Sequence, residues 1–197
     1  MIHSKDELRN ALNKERVRWR LPQIDSWKGW MKLNLMLLYH PGSTYLYMYC
    51  LRNEEYYSNK SGLGKLVYKF YHQKRVKLQL KTGTELPPNV AGIGTAVYHG
   101  KVVVSRAAKI GEDCVILSDV TIGGVGGKRD VSGAAKIGNR VFISSGVKII
   151  GPVTIADDVV IGANSVVVKD ILESGITVAG IPAKKISNIG SSEYIRL

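Results

Sequence analysis

Of the four histidines in the chain, only His99 lies inside a region of regular sequence repetition, and His3, His40 and His72 all precede that region. An imidazole with a pKa near 6.5 can remove a proton from a reacting group at neutral pH, so His99 is a candidate general base. The ordinary role of a lone histidine is structural or on the surface, and spacing alone does not decide between these roles. A zinc site built from several histidines is not expected, because the repeat contains one.

The repetition around His99 has a period of six residues. A helix repeats near 3.6 residues and a strand at 2, so a period of six indicates a solenoid with three short strands in each coil. Two residues before most of the repeated aliphatic positions, the chain has a small or β-branched residue, and both positions are predicted to face inward. The aliphatic positions are Val104, Ile110, Ile116 and Ile122, then Ile137, Ile143, Ile149, Ile155, Ile161 and Val167. Eighteen residues per coil predict about five coils between residues 86 and 173.

One interruption of the period predicts a loop. Fifteen residues separate Ile122 from Ile137, nine more than one side of a coil requires. Insertions in a solenoid are directed outward, often toward the binding face. We therefore predict an external loop over residues 124–135.

The first 82 residues have a different pattern, and we predict a helical region over 1–82 that precedes a solenoid domain over 83–197. Ser4 and Glu7 have the spacing of a capping box, which predicts a helix that ends before Pro22. Apolar runs over 27–38 and 45–51 predict a helical hairpin, and residues 63–80 predict an amphipathic basic helix. We expect the latter to cover the end of a neighbouring element, and contact with an anionic membrane surface is the alternative.

The charge is concentrated in this first region. The chain has a net charge of +12, and residues 1–80 contain 15 Lys and Arg against 6 Asp and Glu. A basic surface favours anionic partners without specifying which, and no nucleic-acid motif accompanies it, so nucleic acid is not an expected partner. A membrane-spanning helix is not expected, because the apolar runs are shorter than about 20 residues.

Two further features bear on the compartment. Cys114 lies at an inward position far in sequence from Cys50, so it is predicted to be a buried thiol rather than half of a disulfide. The N-terminus lacks the pattern of a signal peptide. We predict a cytoplasmic protein, with peripheral contact at the inner membrane face as the alternative.

The repeat, the position of the loop and the ending Ala179-Gly180-Ile181-Pro182-Ala183-Lys184 resemble the hexapeptide-repeat acyltransferases, in particular their serine acetyltransferase-like branch. The resemblance covers residues 84–187. It implies a mainly β fold, a left-handed parallel β-helix with an N-terminal helical region, usually assembled as a homotrimer. It also implies transfer of an acetyl group from acetyl-CoA, without a metal.

The same resemblance assigns roles to individual residues. The segment from Gly92 to His99 is similar to the family stretch that ends in the catalytic histidine, which implies that His99 is the general base for acetylation of a hydroxyl. Glu85 is a candidate to orient His99, and backbone N–H groups near Gly123 or Gly124 are candidates to stabilise the oxyanion. The positions that match the CoA groove of the family are Ser145 with Gly146, Ala163 and Lys184, and Lys169 lies near them in sequence.

Several positions depart from serine acetyltransferases. Where the family has an aspartate before the catalytic histidine, this chain has Tyr98. Gly133 and Ala134 stand in place of an Arg-His pair in the loop, and Thr84 stands in place of a further aspartate upstream. Because these groups would bind the charged ends of an amino acid, we expect an acceptor other than serine. We predict an acetyl-CoA-dependent O-acetyltransferase acting on a sugar hydroxyl of a surface or capsular polysaccharide or its precursor. A serine O-acetyltransferase and a non-catalytic scaffold or binding module are the alternatives.

Overall fold

In a computed structural model, the structure describes residues 2–21, 31, 43–124 and 133–195. Within these ranges, three helices are described before the first strand: α1 (Lys5–Arg18), α2 (Ser43–Tyr57) and α3 (Leu63–Thr82). Short strands then follow one another, and a 3₁₀ turn (Ser191–Glu193) lies near the C-terminus. The strands within the described residues are β1 (Ala96–Val97), β2 (Val103–Val104), β3 (Lys109–Ile110), β4 (Val115–Ile116), β5 (Thr121–Gly123), β6 (Lys136–Ile137), β7 (Phe142–Ile143), β8 (Lys148–Ile150), β9 (Thr154–Ile155), β10 (Val160–Ile161), β11 (Val166–Val167), β12 (Thr177–Gly180) and β13 (Ala183–Ser187).

The strands form the three sides of a parallel β-helix. One sheet has the order β1-β4-β7-β10-β12-β13, another has β11-β8-β5-β2, and the third has β3-β6-β9. Isolated bridges at Glu85, Ala91 and Ile171 extend the two shorter sheets. Each side therefore has five parallel levels, which confirms the predicted three-sided coil and the number of coils. Among the strands that the structure describes, only the last pair, β12 and β13, is antiparallel.

The interior of the β-helix is the predicted ladder of small and aliphatic residues. All ten of the repeated aliphatic positions are buried, from fully buried Ile116 to Ile110 at 5% exposure. The positions two residues earlier are buried as well, namely Ala108, Cys114, Val120, Ala135, Val141, Val147, Val153, Val159 and Ser165. The prediction that both positions face inward is confirmed.

Both cysteines are free and buried, which confirms the prediction for Cys114. Burial raises the pKa of the Cys114 thiol to about 12. Deprotonation in the interior would leave a charge without water, so this residue packs as a small apolar side chain.

The helical region agrees with the sequence pattern where the structure describes it. The Ser4 hydroxyl accepts a hydrogen bond from the Glu7 N–H at 3.0 Å, and the Glu7 carboxylate accepts one from the Ser4 N–H at 3.3 Å, so the capping box is confirmed. The predicted helix over 63–80 is confirmed as α3. The apolar run at 27–38 falls outside the described residues except for one position, and most of the predicted loop, residues 125–132, falls outside them too. None of the described helices is long and apolar enough to cross a membrane.

A buried ion-pair network joins the helices to the first coil. The guanidinium of Arg52, in α2, donates to Glu15 of α1 at 2.8 Å and to Glu55 of α2 at 3.0 Å. It also donates to the backbone oxygens of Ala91 at 2.9 Å and Gly92 at 2.6 Å. Arg52 is 1% exposed. Because one side chain holds α1, α2 and the β-helix together, this network sets the position of α1 over the first coil.

The network contains two carboxylates and one cation. Burial raises the pKa of the Glu15 carboxyl to about 7, and the nearby Arg52 only partly opposes that effect. The second oxygen of Glu15 has no hydrogen-bond partner among the described residues. A protonated Glu15 would leave Arg52 paired with Glu55 and would remove the excess buried negative charge.

We predict that Glu15 makes the folded state less stable as the pH rises from about 4.5 to about 7. The pKa of Glu15 is higher in the folded state than in the unfolded state. Its stabilising contribution to the unfolding free energy is therefore fully present below pH 4.5 and is lost as the pH rises through about 7. The loss should reach about 3 kcal/mol. Denaturant unfolding at several pH values should show this decline for the wild type and not for Glu15→Gln.

Asp6→Asn is the control, because Asp6 lies on the same helix with its side chain 90% exposed. This variant should follow the wild-type pH dependence. Parallel curves for the wild type and Glu15→Gln would contradict the assignment of a raised pKa to Glu15.

Candidate functional site

His99 lies at the corner that follows the first strand of the longest sheet. The pairing Val97 to Ile116, Ile116 to Ile143 and Ile143 to Ile161 aligns the ends of β1, β4, β7 and β10. The corners after these strands therefore form one edge of the prism, which we call the His99 edge. The second residue after each strand is His99, Ser118, Ser145 and Ala163, in that order along the edge.

The stacking of these corners is held by hydrogen bonds. The Gly146 N–H donates to the Ser118 oxygen, and the Asn164 N–H donates to the Ser145 oxygen, both at 2.9 Å. Since coils are about 4.8 Å apart, Ser145 lies roughly 10 Å and Ala163 roughly 14 Å along the edge from His99. The structure thus brings His99, Ser145, Gly146 and Ala163 to one edge, as their predicted roles require.

Ser118 belongs to the same edge and was missed by the sequence analysis. Its hydroxyl donates to the Ser145 hydroxyl at 3.2 Å. Ser118 and Ser145 are 27 residues apart, which is one coil of eighteen plus the nine inserted residues. When the nine inserted residues are left out of the count, Ser118 and Ser145 are one coil of eighteen residues apart and occupy the same position in successive coils.

The corner at His99 is wider than the others. Val97 and the next inward residue, Val104, are seven positions apart, against six for the regular repeat. His99, Gly100 and Lys101 all have positive φ, with 70° at His99. A positive φ at the third residue after a strand is regular in this β-helix, since Asp119, Gly146 and Asn164 share it with Gly100. The additional positive φ angles at His99 and Lys101 are therefore the local departure from the repeat. The His99 side chain is exposed.

The preceding residue, Tyr98, has a different environment. Its ring packs on Trp19 with centroids 4.6 Å apart, and its hydroxyl donates to the Arg18 backbone oxygen at 3.2 Å. Burial raises the pKa of the Tyr98 phenol. Tyr98 therefore anchors the end of α1 to the β-helix, and of the two residues at this corner only His99 is presented to solvent.

Glu85, the candidate to orient His99, lies on another side of the prism. Its backbone pairs with Val103, and the side chain is exposed. In the described part of the chain, no hydrogen bond joins Glu85 to His99. The described residues also contain no group of three or more His, Cys, Asp or Glu that could hold a metal ion.

The other predicted glycines and Lys169 lie on the next edge of the prism. Gly123 ends β5, and the strand pairing through Ile122, Ile149 and Val167 aligns Gly124 with Lys169. We call these corners the second edge. The loop begins and ends here, because a Cβ at Gly124 would be 3.2 Å from the Gly133 oxygen. Within one chain, these residues are not on the edge that carries His99.

Lys184 lies near the far end of the His99 edge. β12 continues the sheet beyond β10, and Ala179 in β12 pairs with Lys184 in β13. The Lys184 side chain is exposed, whereas neighbouring Lys185 pairs with Glu173 at 2.6 Å. The His99 edge therefore has an imidazole at one end and an exposed ammonium near the other.

A cavity of about 980 Å³ lies on the outer face of the longest sheet, between α1 and the C-terminal 3₁₀ turn. Val115, Leu117, Phe142 and Tyr194 form an apolar part of its lining. The cavity also touches Tyr98. Tyr98 and Leu117 immediately precede His99 and Ser118, so the cavity lies beside the His99 edge, although neither His99 nor Ser118 is among the described residues that line it.

The polar lining of this cavity is mainly basic. Lys14 and Arg18 are held by the Asp113 carboxylate, at 2.6 and 2.8 Å. Arg20 also lines the cavity, and within the described ranges its guanidinium makes no hydrogen bond or ion pair. Glu193 contributes one carboxylate from the 3₁₀ turn. The cavity can therefore offer both a cation and an anion to a small polar molecule.

Comparison with known proteins identifies the family. Residues 134–169 match the family described as bacterial transferase hexapeptide (six repeats). A serine acetyltransferase of Helicobacter pylori strain 26695 is 40% identical over 127 residues, which are 60% of this chain and 71% of that protein. A serine acetyltransferase of Mycobacterium tuberculosis is 40% identical over 114 residues, 55% of this chain and 47% of that protein.

Solved structures give the same fold. The crystal structure of Neisseria gonorrhoeae serine acetyltransferase matches with a TM-score of 0.68 and 26% identity, over 96% of this chain and 70% of that chain. A serine acetyltransferase in complex with CoA matches with a TM-score of 0.65 and 24% identity, over 92% of this chain and 71% of that chain. These matches confirm the left-handed parallel β-helix with its N-terminal helical region.

The comparisons contradict the predicted sugar acceptor. The curated relatives reported above are serine acetyltransferases at 40% identity, so acetylation of a polysaccharide is wrong as the main interpretation. That interpretation rested on missing side chains at Tyr98, Gly133, Ala134 and Thr84. The loss of individual contacts removes one way to bind an amino acid and does not indicate a sugar.

Acetyl-CoA-dependent acetyl transfer to a hydroxyl is the chemistry of these relatives, and the exposed imidazole on the His99 edge is compatible with it. The relative from H. pylori is matched over more than two thirds of its length. The chain therefore belongs to the serine acetyltransferase family of hexapeptide transferases and is an acetyl-CoA-dependent O-acetyltransferase.

Proposed function

We propose that the chain transfers the acetyl group of acetyl-CoA to the hydroxyl oxygen of serine, with His99 as the general base. The observation that carries this proposal is the alignment of His99 with Ser118, Ser145 and Ala163 along one edge of the β-helix. The serine acetyltransferase relatives support serine as the acceptor.

The His99 edge suits a long, flexible thioester substrate. The side chains at its corners are small, and Gly146 has a φ of 78°, which glycine adopts without strain. The backbone of the edge can therefore approach a pantetheine chain closely. Lys184, exposed near the far end, would meet phosphate charge. In this orientation of acetyl-CoA, with its phosphates near Lys184, the thioester lies at the His99 end of the edge.

Acetyl-CoA supplies an acyl thioester, and His99 moves the proton. The imidazole accepts the proton of the serine hydroxyl while the serine oxygen forms its bond to the acyl carbon. The carbon–sulfur bond then breaks, and the imidazole returns the proton to the CoA thiolate. The products are O-acetylserine and CoA, and His99 regains its initial state.

We assign the cavity beside the His99 edge to the acceptor. The carboxylate of serine would pair with Arg20, and the ammonium would pair with Glu193. Such charge-assisted contacts can replace those expected from the residues that differ at Tyr98, Gly133 and Ala134. The serine hydroxyl would then point toward the edge at Tyr98, next to His99.

We also propose that three copies of the chain assemble around a common axis. Within one chain, His99 is on the His99 edge, whereas Gly124 and Lys169 are on the second edge. If the His99 edge of one copy faces the second edge of its neighbour, the two halves form a groove. A neighbour would also shield the exposed His99 from bulk water, which strengthens electrostatic stabilisation of the reacting atoms.

His99→Ala should lower kcat/KM for serine-dependent CoA release by about 10²- to 10⁴-fold, because general-base catalysis contributes that much to the rate. The release of CoA can be followed with a thiol reagent, with and without serine. His3→Ala is the matched control, since His3 is exposed before α1, and it should retain full activity.

Two outcomes would contradict this proposal in different ways. Unchanged turnover by His99→Ala would remove His99 as the base. Release of CoA at the same rate with and without serine would remove serine as the acceptor while leaving the role of His99 open to a separate test.

Arg20→Gln should raise KM for serine by about 10- to 100-fold with little change in kcat, because a hydrogen bond to a charged group contributes about 1.5–3 kcal/mol. Initial rates at saturating acetyl-CoA measure this effect. Arg9→Gln changes an exposed arginine of α1 that does not line the cavity, and it should behave as the wild type. An unchanged KM for Arg20→Gln would show that the acceptor binds elsewhere.

Light scattering should give a mass about three times the 21.6 kDa of one chain. The division of the predicted site between two edges calls for a neighbouring copy, and three copies are what the resemblance to the hexapeptide-repeat acyltransferases implies. A stable monomer that is fully active would show that a groove between copies is not required.

A further inference from the structure

Helix α3 has apolar residues on two different faces. The inner face packs against α2, where Leu78 is 7% exposed and the Tyr71 ring meets Tyr49 edge to face, with centroids 6.2 Å apart. Arg75 on the same face pairs with Glu54 of α2. These contacts with α2 explain the apolar residues on the inner face of α3, but not those on its outer face.

The outer face carries four large apolar side chains, which we call the outer stripe. They are Leu63, Leu66, Phe70 and Leu80, exposed by 81%, 63%, 55% and 83%. At 100° per residue they fall within about one third of the helix circumference. Leu63, Leu66 and Phe70 are neighbours on this face, and Leu80 lies ten residues further along it, beyond Gln73 and Lys77. Several large apolar side chains exposed on one face of a helix indicate a binding surface.

Lysines border the outer stripe on both sides. By helical spacing, Lys65 and Lys69 lie on one flank, Lys74 and Lys81 lie on the other, and Lys77 lies within the stripe. The Lys74 ammonium lies 6.0 Å from the Phe70 ring centroid. The twenty residues of α3 include no Asp or Glu. The face therefore combines apolar area with positive charge alone.

We propose that the outer stripe of α3 binds the surface of an anionic phospholipid bilayer, with the helix parallel to the membrane plane. The apolar side chains would enter the boundary between headgroups and acyl chains, as in other interfacial amphipathic helices. The flanking lysines would extend toward lipid phosphates, since their long stems let the ammonium remain among the headgroups. From Leu63 to Leu80 the stripe extends over about 26 Å, at 1.5 Å per residue.

Charge and exposure favour a bilayer over two other partners. A second copy of α3 placed face to face would bring two sets of lysines together with no carboxylate between them, which is unfavourable. Nucleic acid would satisfy the lysines, but its phosphate backbone offers nothing to Leu63, Leu66 and Leu80. An anionic bilayer satisfies both parts of the face.

The proposal is tested by sedimentation of the full chain with lipid vesicles. Vesicles of phosphatidylcholine containing 30% phosphatidylglycerol are compared with vesicles of phosphatidylcholine alone. We expect a partition coefficient at least tenfold higher on the anionic vesicles, falling as salt is raised because exposed charges are screened.

Two variants separate the contributions of the face. Lys65→Gln/Lys69→Gln/Lys77→Gln should lower the partition coefficient by about two orders of magnitude, because each lysine near an anionic membrane contributes about fivefold. Leu63→Gln/Leu66→Gln/Phe70→Gln should lower it at least tenfold on both kinds of vesicle. The matched control is Lys101→Gln/Lys109→Gln/Lys136→Gln, three exposed lysines of the β-helix, which should bind like the wild type. Circular dichroism checks that every variant is folded.

Several results would overturn the proposal. Equal binding to both kinds of vesicle would exclude a specific interaction with anionic lipid. Wild-type binding by both α3 variants would exclude the outer stripe as the face that contacts the bilayer. A fall in the light-scattering mass of the apolar variant would identify the stripe as an interface between copies. Loss of binding to an oligonucleotide by the lysine variant, with vesicle binding unchanged, would assign the face to nucleic acid.

Discussion

The structure depends on the parallel register that the inward-facing aliphatic ladder imposes. Strands β1 to β11 have two or three residues each, too short to be stable alone, and they are held by hydrogen bonds to neighbouring coils. A shift of one residue would turn the buried aliphatic positions outward. Because the register is fixed by the core, the corner residues are fixed as well. The alignment of His99 with Ser145 and Ala163 is a consequence of how Ile116, Ile143 and Ile161 pack.

The helical region is tied to this prism by two contacts of different character. Arg52 forms a fully buried ionic network that includes the backbone of the first coil, and Tyr98 packs against Trp19 at the end of α1. The first contact carries an electrostatic cost at Glu15, whereas the second is mainly apolar. Together they place α1 over the outer face of the longest sheet and so form one wall of the cavity. The cavity that we propose for the acceptor is therefore formed at the junction between the helices and the β-helix.

The sequence predicted the repeating part of the fold well, because the environment of each residue recurs every six positions. The burial of Val147 or Cys114 follows from the period alone, and the capping box at Ser4 follows from local spacing. The network of Arg52 could not be predicted in this way, since it joins residues 37 and 40 positions apart in the chain. The place of Ser118 on the His99 edge was hidden by the nine-residue insertion. The acceptor was predicted wrongly because absent side chains were given more weight than the overall similarity.

The central claim is that the thioester is presented to His99 along the edge formed by Ser118, Ser145 and Ala163. A crystal structure of the protein with CoA tests it most directly. The account predicts the CoA sulfur within about 3.5 Å of the His99 imidazole, the pantetheine along those three residues, and the phosphates near Lys184. A CoA molecule whose thiol lies away from His99, along an edge that does not include it, would contradict the account.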